Sequence, residues 1–185
     1  GELIPCIIDQ NNDDEVVELT KNICSQENKI DLLVNSAYAG LIAMTPHFGK
    51  PFWERPISVY DGHMDVGVRS SYVMSKLIVP KMIENKWGRI IHISSARGLR
   101  GNPGSSAYSA SKSALNAFTI HLAIELKDTN IKVNSGHPGW VKTELGGPKA
   151  PVEVEDSYKT SLRLATLEDD GPSGGLFHEN ETIPW

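Results

Sequence analysis

Apolar residues gather along the chain in short runs, and longer stretches of helical spacing separate them. Leu3-Ile4-Pro5-Cys6-Ile7-Ile8-Asp9 reads as an opening strand. Val16, Leu19 and Ile23, flanked by Val17 and Cys24, recur at helical spacing and predict a helix over about 13–26, with Asp13, Asp14 and Glu15 in its first turn as the helix dipole favours. Ile30-Asp31-Leu32-Leu33-Val34-Asn35 is apolar enough for a central strand. A stretch with Pro46, Gly49, Pro51 and Pro56 then reads as loop. Its Met44, Phe48, Phe52 and Trp53 either wall a substrate or cover a sheet end, the second being favoured. Ser58 is the expected N-cap of a long helix reaching about Asn85, with Pro80 expected to kink it.

The run RIIHIS, Arg89 to Ser94, predicts a buried strand. A Gly- and Ser-rich loop follows, then a helix carrying Tyr108 and Lys112. Ala114, Leu115, Ala117, Phe118, Leu122, Ala123 and Leu126 give that helix a broad apolar surface. Ile131 to Ser135 is the next strand, Glu153 to Leu167 a further helix, and Leu176-Phe177-His178 a short last strand.

Composition narrows the functional classes. The 185 residues suffice for one domain with a sizeable core. A net charge of −5, with no Lys/Arg run, argues against a nucleic-acid surface. No apolar run reaches the length of about 18 residues that suggests a membrane span. Cys6 and Cys24 lack C-x-x-C spacing and read as reduced thiols. The six histidines show no paired ligand spacing, so no metal site is expected.

Chemistry concentrates between Arg89 and Lys112. Tyr108 and Lys112, at i and i+4, share one helix face. A free phenol, with a pKa of about 10, is a poor acid–base catalyst at neutral pH, and a neighbouring cation stabilises its phenolate. Ser95, at the strand end, is placed to hydrogen-bond a substrate oxygen held against Tyr108. A lone Y-x-x-x-K is weak evidence. The ordered set is specific: N-S-A-Y-A-G from Asn35 to Gly40, Ser94-Ser95 at a strand end, Tyr108-x-x-x-Lys112, and P-G-W-V-K-T from Pro138 to Thr143.

With these motifs the chain resembles the short-chain dehydrogenase/reductase family, from about Pro5 to Trp185, and its tail resembles the carbonyl-reductase-like branch. The resemblance implies an α/β fold with a Rossmann-type doubly wound parallel sheet, residues 1–185 forming one partial domain. It implies NAD(P)-dependent interconversion of an alcohol and a carbonyl, without choosing NAD or NADP. Ser95, Tyr108 and Lys112 would be catalytic. Asp9, Asn35, Ala37, Tyr108, Lys112, Pro138, Gly139, Val141 and Thr143 would contact the cofactor. Asp9 equally reads as merely turning the chain, and Thr143 equally as an N-cap. In the family, Asn35 also ties strands together.

The family's strand order is 3-2-1-4-5-6-7, and this chain reads as starting at strand 3. No G-x-x-x-G-x-G follows any predicted strand, so a preceding segment with strands 1 and 2 and a pyrophosphate-binding turn is expected. Gly67 falls where the family carries an Asn in the long helix. The resemblance also implies a cytoplasmic homodimer or homotetramer acting on a small molecule. Two alternatives stand beside this reading. One is a non-catalytic fragment or interaction module, motivated by Gly67 and the missing glycine loop. The other is sugar-nucleotide epimerase or dehydratase chemistry, which also uses Y-x-x-x-K but calls for a larger C-terminal domain.

Overall fold

The structure, a computed structural model, describes residues 1–39, 45–47, 49–100 and 104–185. Four parallel strands form its centre: β1 (Leu32–Asn35), β2 (Gly88–Ile93), β3 (Ile131–Gly136) and β4 (Leu176–His178), in the order β1-β2-β3-β4. A fifth, β5 (Glu181–Ile183), folds back antiparallel on β4. The sequence reading did not contain β5. It is short and polar, and it exists because Glu179 adopts a left-handed conformation, φ 48°, that reverses the chain in two residues.

Helices cover both faces. They are α1 (Asp13–Gln26), α2 (Ile57–Met64), α3 (Ser70–Asn85), α4 (Ser106–Glu125) and α5 (Lys159–Ala165). Strand β2 shows how the layers divide. Ile90 points to a core with Leu33, Ile78, Met82, Leu122 and Val133, beneath α3 and α4. Ile91, one residue on and therefore on the opposite face, packs with Leu164 and Phe177 beneath α5. Both faces of β2 are buried, so its Arg89 and His92 must find their hydrogen-bond partners inside the protein. On the α5 side the register places Leu32 and Val34 level with Arg89 and Ile91, and both remain 42% exposed.

Several expectations are corrected. Leu3–Asp9 forms no strand, and Leu3, Ile4 and Ile7 are 66–100% exposed. A strand gains nothing from an extended backbone unless a neighbour takes its hydrogen bonds, and β1 is the edge of the described sheet. Ser58 caps nothing: α2 starts at Ile57 after an extended Pro56, with no side-chain cap. The helix then passes through a π-helical turn, Asp65–Arg69, into α3 and continues across Pro80. The helix expected over Glu153–Leu167 is a 3-10 turn, Val154–Asp156, followed by the seven residues of α5. In the loop before α2, Met44 and Phe48 lie outside the described residues. Phe52 and Trp53 are 64% and 74% exposed, so they cover no sheet end.

Arg89 fastens the start of β2 to the far side of the sheet. Its guanidinium, 1% exposed, donates to the carbonyls of Leu167, Gly88 and Asn130, reaches Asp169 at 3.4 Å and lies over the Trp87 ring. Lysine lacks the planar fork needed to serve these acceptors together. Arg89→Lys is therefore expected to lower stability by about 2–3 kcal/mol, the cost of buried carbonyls left without donors. A urea-unfolding midpoint unchanged by the substitution would contradict this account.

Candidate active site

The C-terminal ends of β1, β2 and β3 meet a chain of buried polar side chains. Asn35 donates from Nδ2 to Ser75 Oγ at 3.2 Å. Ser75 Oγ lies 3.4 Å from His92 Nε2, His92 Nδ1 lies 2.8 Å from Thr119 Oγ1, and Thr119 Oγ1 lies 2.8 Å from Ser135 Oγ. Asn35 thus joins the strands through helix residues rather than directly. Burial, and then the Lys112 charge, push the His92 pKa down to about 4, so it stays a neutral link in this chain.

Tyr108 and Lys112 occupy the first two turns of α4. Lys112 is 7% exposed, and its ammonium donates to the Ile93 carbonyl, 2.8 Å away, at the end of β2. Its Nζ lies 5.8 Å from the Tyr108 ring centre and 5.5 Å from that of Tyr38. Burial lowers the Lys112 pKa to about 8. Among the described residues no carboxylate pairs with this ammonium, which has three donors and spends one on Ile93. A buried cation so placed is suited to hold hydroxyls or an anion supplied from outside the chain.

Ser95 lies two residues beyond β2, 5% exposed, and caps the 3-10 turn Ala96–Gly98 by accepting from the Arg97 N–H. That turn lies against α4 at the level of Lys112. A Cβ on Gly98 would sit 2.9 Å from the Lys112 carbonyl carbon and from the Ser113 nitrogen. Glycine there lets the Ser95 turn and the Lys112 backbone touch. Gly98→Ala is expected to push the turn away from the helix and lower kcat/KM about 10-fold or more, since misplacement by about 1 Å costs up to 10²-fold. A Gly98→Ala enzyme with wild-type kcat/KM would show that this contact does not set the geometry.

Two expected residues have their polar atoms engaged in their own loops. Asp9 accepts from the Asn11 N–H at 2.9 Å, so its carboxylate turns the chain into α1. Thr143 Oγ1 accepts from the Gly146 N–H, a cap-like contact, although no helix follows. Val141 makes an isolated parallel bridge to Val152. Pro138 is half-buried just beyond β3. Gly139 has φ 89°, and a Cβ there would meet Val152 and His178 at 3.0 and 3.1 Å. Ala37 lies two residues beyond β1, exposed. Near it, Asn11, Ala39, Gly62, Asp65, Val66 and Arg69 line a cleft, with Arg69 held in a two-armed ion pair by Asp13.

The structure adds two residues to this site. Tyr38 and His63 stand edge-on to Tyr108, with ring centres 6.0 and 6.1 Å away. The sequence shows Tyr38 only as part of the N-S-A-Y-A-G motif and His63 only as one of six histidines without paired ligand spacing. Only the spacing Val59–His63, i and i+4 on a buried face, hinted at an inward histidine.

A family model for short chain dehydrogenases matches residues 1–153. The chain belongs to the short-chain dehydrogenase family. It is 35% identical over 139 residues to 3-oxoacyl-(acyl-carrier-protein) reductase FabG of Buchnera aphidicola subsp. Schizaphis graminum, covering 75% of this chain and 54% of that protein. It is 34% identical over 148 residues to human dehydrogenase/reductase SDR family member 4, covering 80% and 51%. This short-chain dehydrogenase therefore spans about half the length of these curated relatives. Its fold matches that of the carbonyl reductase Sniffer of D. melanogaster, with a TM-score of 0.81 and 24% identity over 97% of this chain and 77% of the other. It also matches ElxO with NADP bound, with a TM-score of 0.82 and 24% identity over 93% and 74%. The Rossmann-type doubly wound arrangement of the family is thus present.

Proposed function

We propose that this short-chain dehydrogenase, residues 1–185 of which belong to one partial domain, interconverts an alcohol and a carbonyl with NAD or NADP. The observation that carries this reading is the Lys112 ammonium, buried with no carboxylate paired to it among the described residues and set beside Tyr108. The dinucleotide, when bound, supplies or accepts the hydride. Lys112 would hold the nicotinamide ribose, its ammonium having two donors besides the one spent on Ile93. Tyr108 gives its hydroxyl proton to the substrate oxygen as the carbonyl is reduced, and takes it back on oxidation. Ser95 positions that oxygen. Pro138, Gly139, Val141 and Thr143 lie on the loop after β3, where a left-handed glycine leaves the backbone uncovered by a side chain, and they would hold the nicotinamide end of the dinucleotide. Asn35, Ala37 and Asp9 would lie along the rest of the dinucleotide.

The test is reduction of a carbonyl panel with NADH and NADPH, followed through loss of reduced-nicotinamide absorbance. Stoichiometric alcohol formation supports the reading. Tight dinucleotide binding with no turnover across the panel favours the non-catalytic alternative that Gly67 motivates. Gly67 sits in the π-helical turn, where a Cβ would make only ordinary contacts with Tyr38 and Ser111. Assembly as a homodimer or homotetramer is proposed through α3 and α4, whose Tyr72, Ile83 and Ile124 are about half exposed. The thiols of Cys6 and Cys24 are free, which suits a cytoplasmic setting.

A further inference from the structure

Three separate segments meet at the Tyr108 ring. Tyr38 comes from the loop after β1, His63 from the last turn of α2, and Tyr108 from the first turn of α4. His63 is fully buried. Its Nδ1 lies 2.5 Å from the Val59 carbonyl, which can only accept, so Nδ1 carries the hydrogen. Nε2 is then the acceptor for the Tyr38 hydroxyl, 3.0 Å away. Burial holds the Tyr38 phenol well above its ordinary pKa, so it remains an O–H donor. Burial likewise lowers the His63 pKa and keeps the ring neutral. One hydrogen-bonded chain, Val59 to His63 to Tyr38, therefore fixes two rings.

Those two rings box the third. Tyr38 is at 90° to Tyr108 and His63 at 83°, both edge-to-face. Tyr38 and His63 are themselves perpendicular within 10°, at 5.5 Å. Tyr38 also lies within reach of the Lys112 ammonium. Neither residue has a role in the hydride and proton transfer described above. We propose that Tyr38 and His63 act as one positioning unit, fixing the Tyr108 ring so that its hydroxyl meets the substrate oxygen. The proposal rests on Tyr108 as the proton donor.

The test uses the full chain, 4-nitrobenzaldehyde as the carbonyl probe and NADPH. Tyr38→Phe keeps the ring but loses the donor, and His63→Leu loses the acceptor. Each is expected to lower kcat about 10-fold, with the KM for NADPH changed less than about 2-fold. The double variant should be no worse than either single, because both break the same link. His63→Gln, which retains an acceptor, should recover most of the activity. Fluorine NMR of protein carrying 3-fluorotyrosine reads the same clamp without turnover, the Tyr108 signal being identified by its loss in Tyr108→Phe. A single narrow signal that splits or broadens in Tyr38→Phe and His63→Leu supports the clamp. Losses that add in the double variant, or a Tyr108 signal identical in all variants, overturn it. Tyr108→Phe with wild-type turnover would instead defeat the proposed reaction, and the NMR outcome would then decide the clamp alone.

Discussion

Tyr108→Phe is expected to lower kcat by about 10²–10⁴-fold, the contribution of a positioned general acid. The substitution removes one oxygen and leaves the ring between Tyr38 and His63, where its edge-to-face packing persists. Dinucleotide affinity should hardly move, because Lys112 and the loop after β3 are untouched. The separation of the two quantities is the test. Steady-state kcat and calorimetric NADPH binding, measured on one preparation, give both. A phenylalanine enzyme that retains wild-type kcat would remove Tyr108 from the mechanism. If the domain is a non-catalytic member of the family, stability should hardly change either, because the ring contacts persist and among the described residues the Tyr108 hydroxyl makes no hydrogen bond.

Lys112→Met should harm both quantities, lowering kcat by about 10²-fold or more and weakening dinucleotide binding, if the ammonium serves tyrosine and ribose together as proposed. The pH dependence adds a sign that few other residues would give. Burial lowers the Lys112 pKa from its ordinary 10.5 to about 8. The basic limb of kcat/KM should therefore lie near pH 8, where the folded protein loses this charge. Stability moves the other way. Between about pH 8 and 10.5 the unfolded chain holds the Lys112 proton and the folded chain does not, so this residue's contribution to stability rises with pH. Below pH 8 both states hold the proton, and the burial cost is present in full. Lys112→Met should abolish both trends. A pH–rate limb near 8 that survives in the methionine variant would assign it to another group.

How much was legible in the sequence depends on whether a feature is local. The extents of α1 and β4 match the periodicity residue for residue, and β1 to β3 differ from it by one or two residues. Helical spacing and short apolar runs bounded by turn residues suffice to define such elements. Tyr108 and Lys112 share a helix face by spacing alone, and the ordered motifs pointed to the family before any coordinates. Tertiary structure decided the rest. An apolar run at Leu3–Asp9 has the composition of a strand but lacks a neighbour to take its hydrogen bonds. The π-helical turn at Asp65–Arg69 and the short polar β5 leave no periodic signature. Tyr38 and His63 lie 25 residues apart in sequence; the packing of α2 against α4 brings His63 to Tyr108, and the loop after β1 brings Tyr38. The lowered pKa of Lys112 is likewise a property of burial, which no spacing of residues can state. Spacing and motif order named the side chains proposed to carry the chemistry, whereas the fold set their distances, their exclusion from water and hence their protonation.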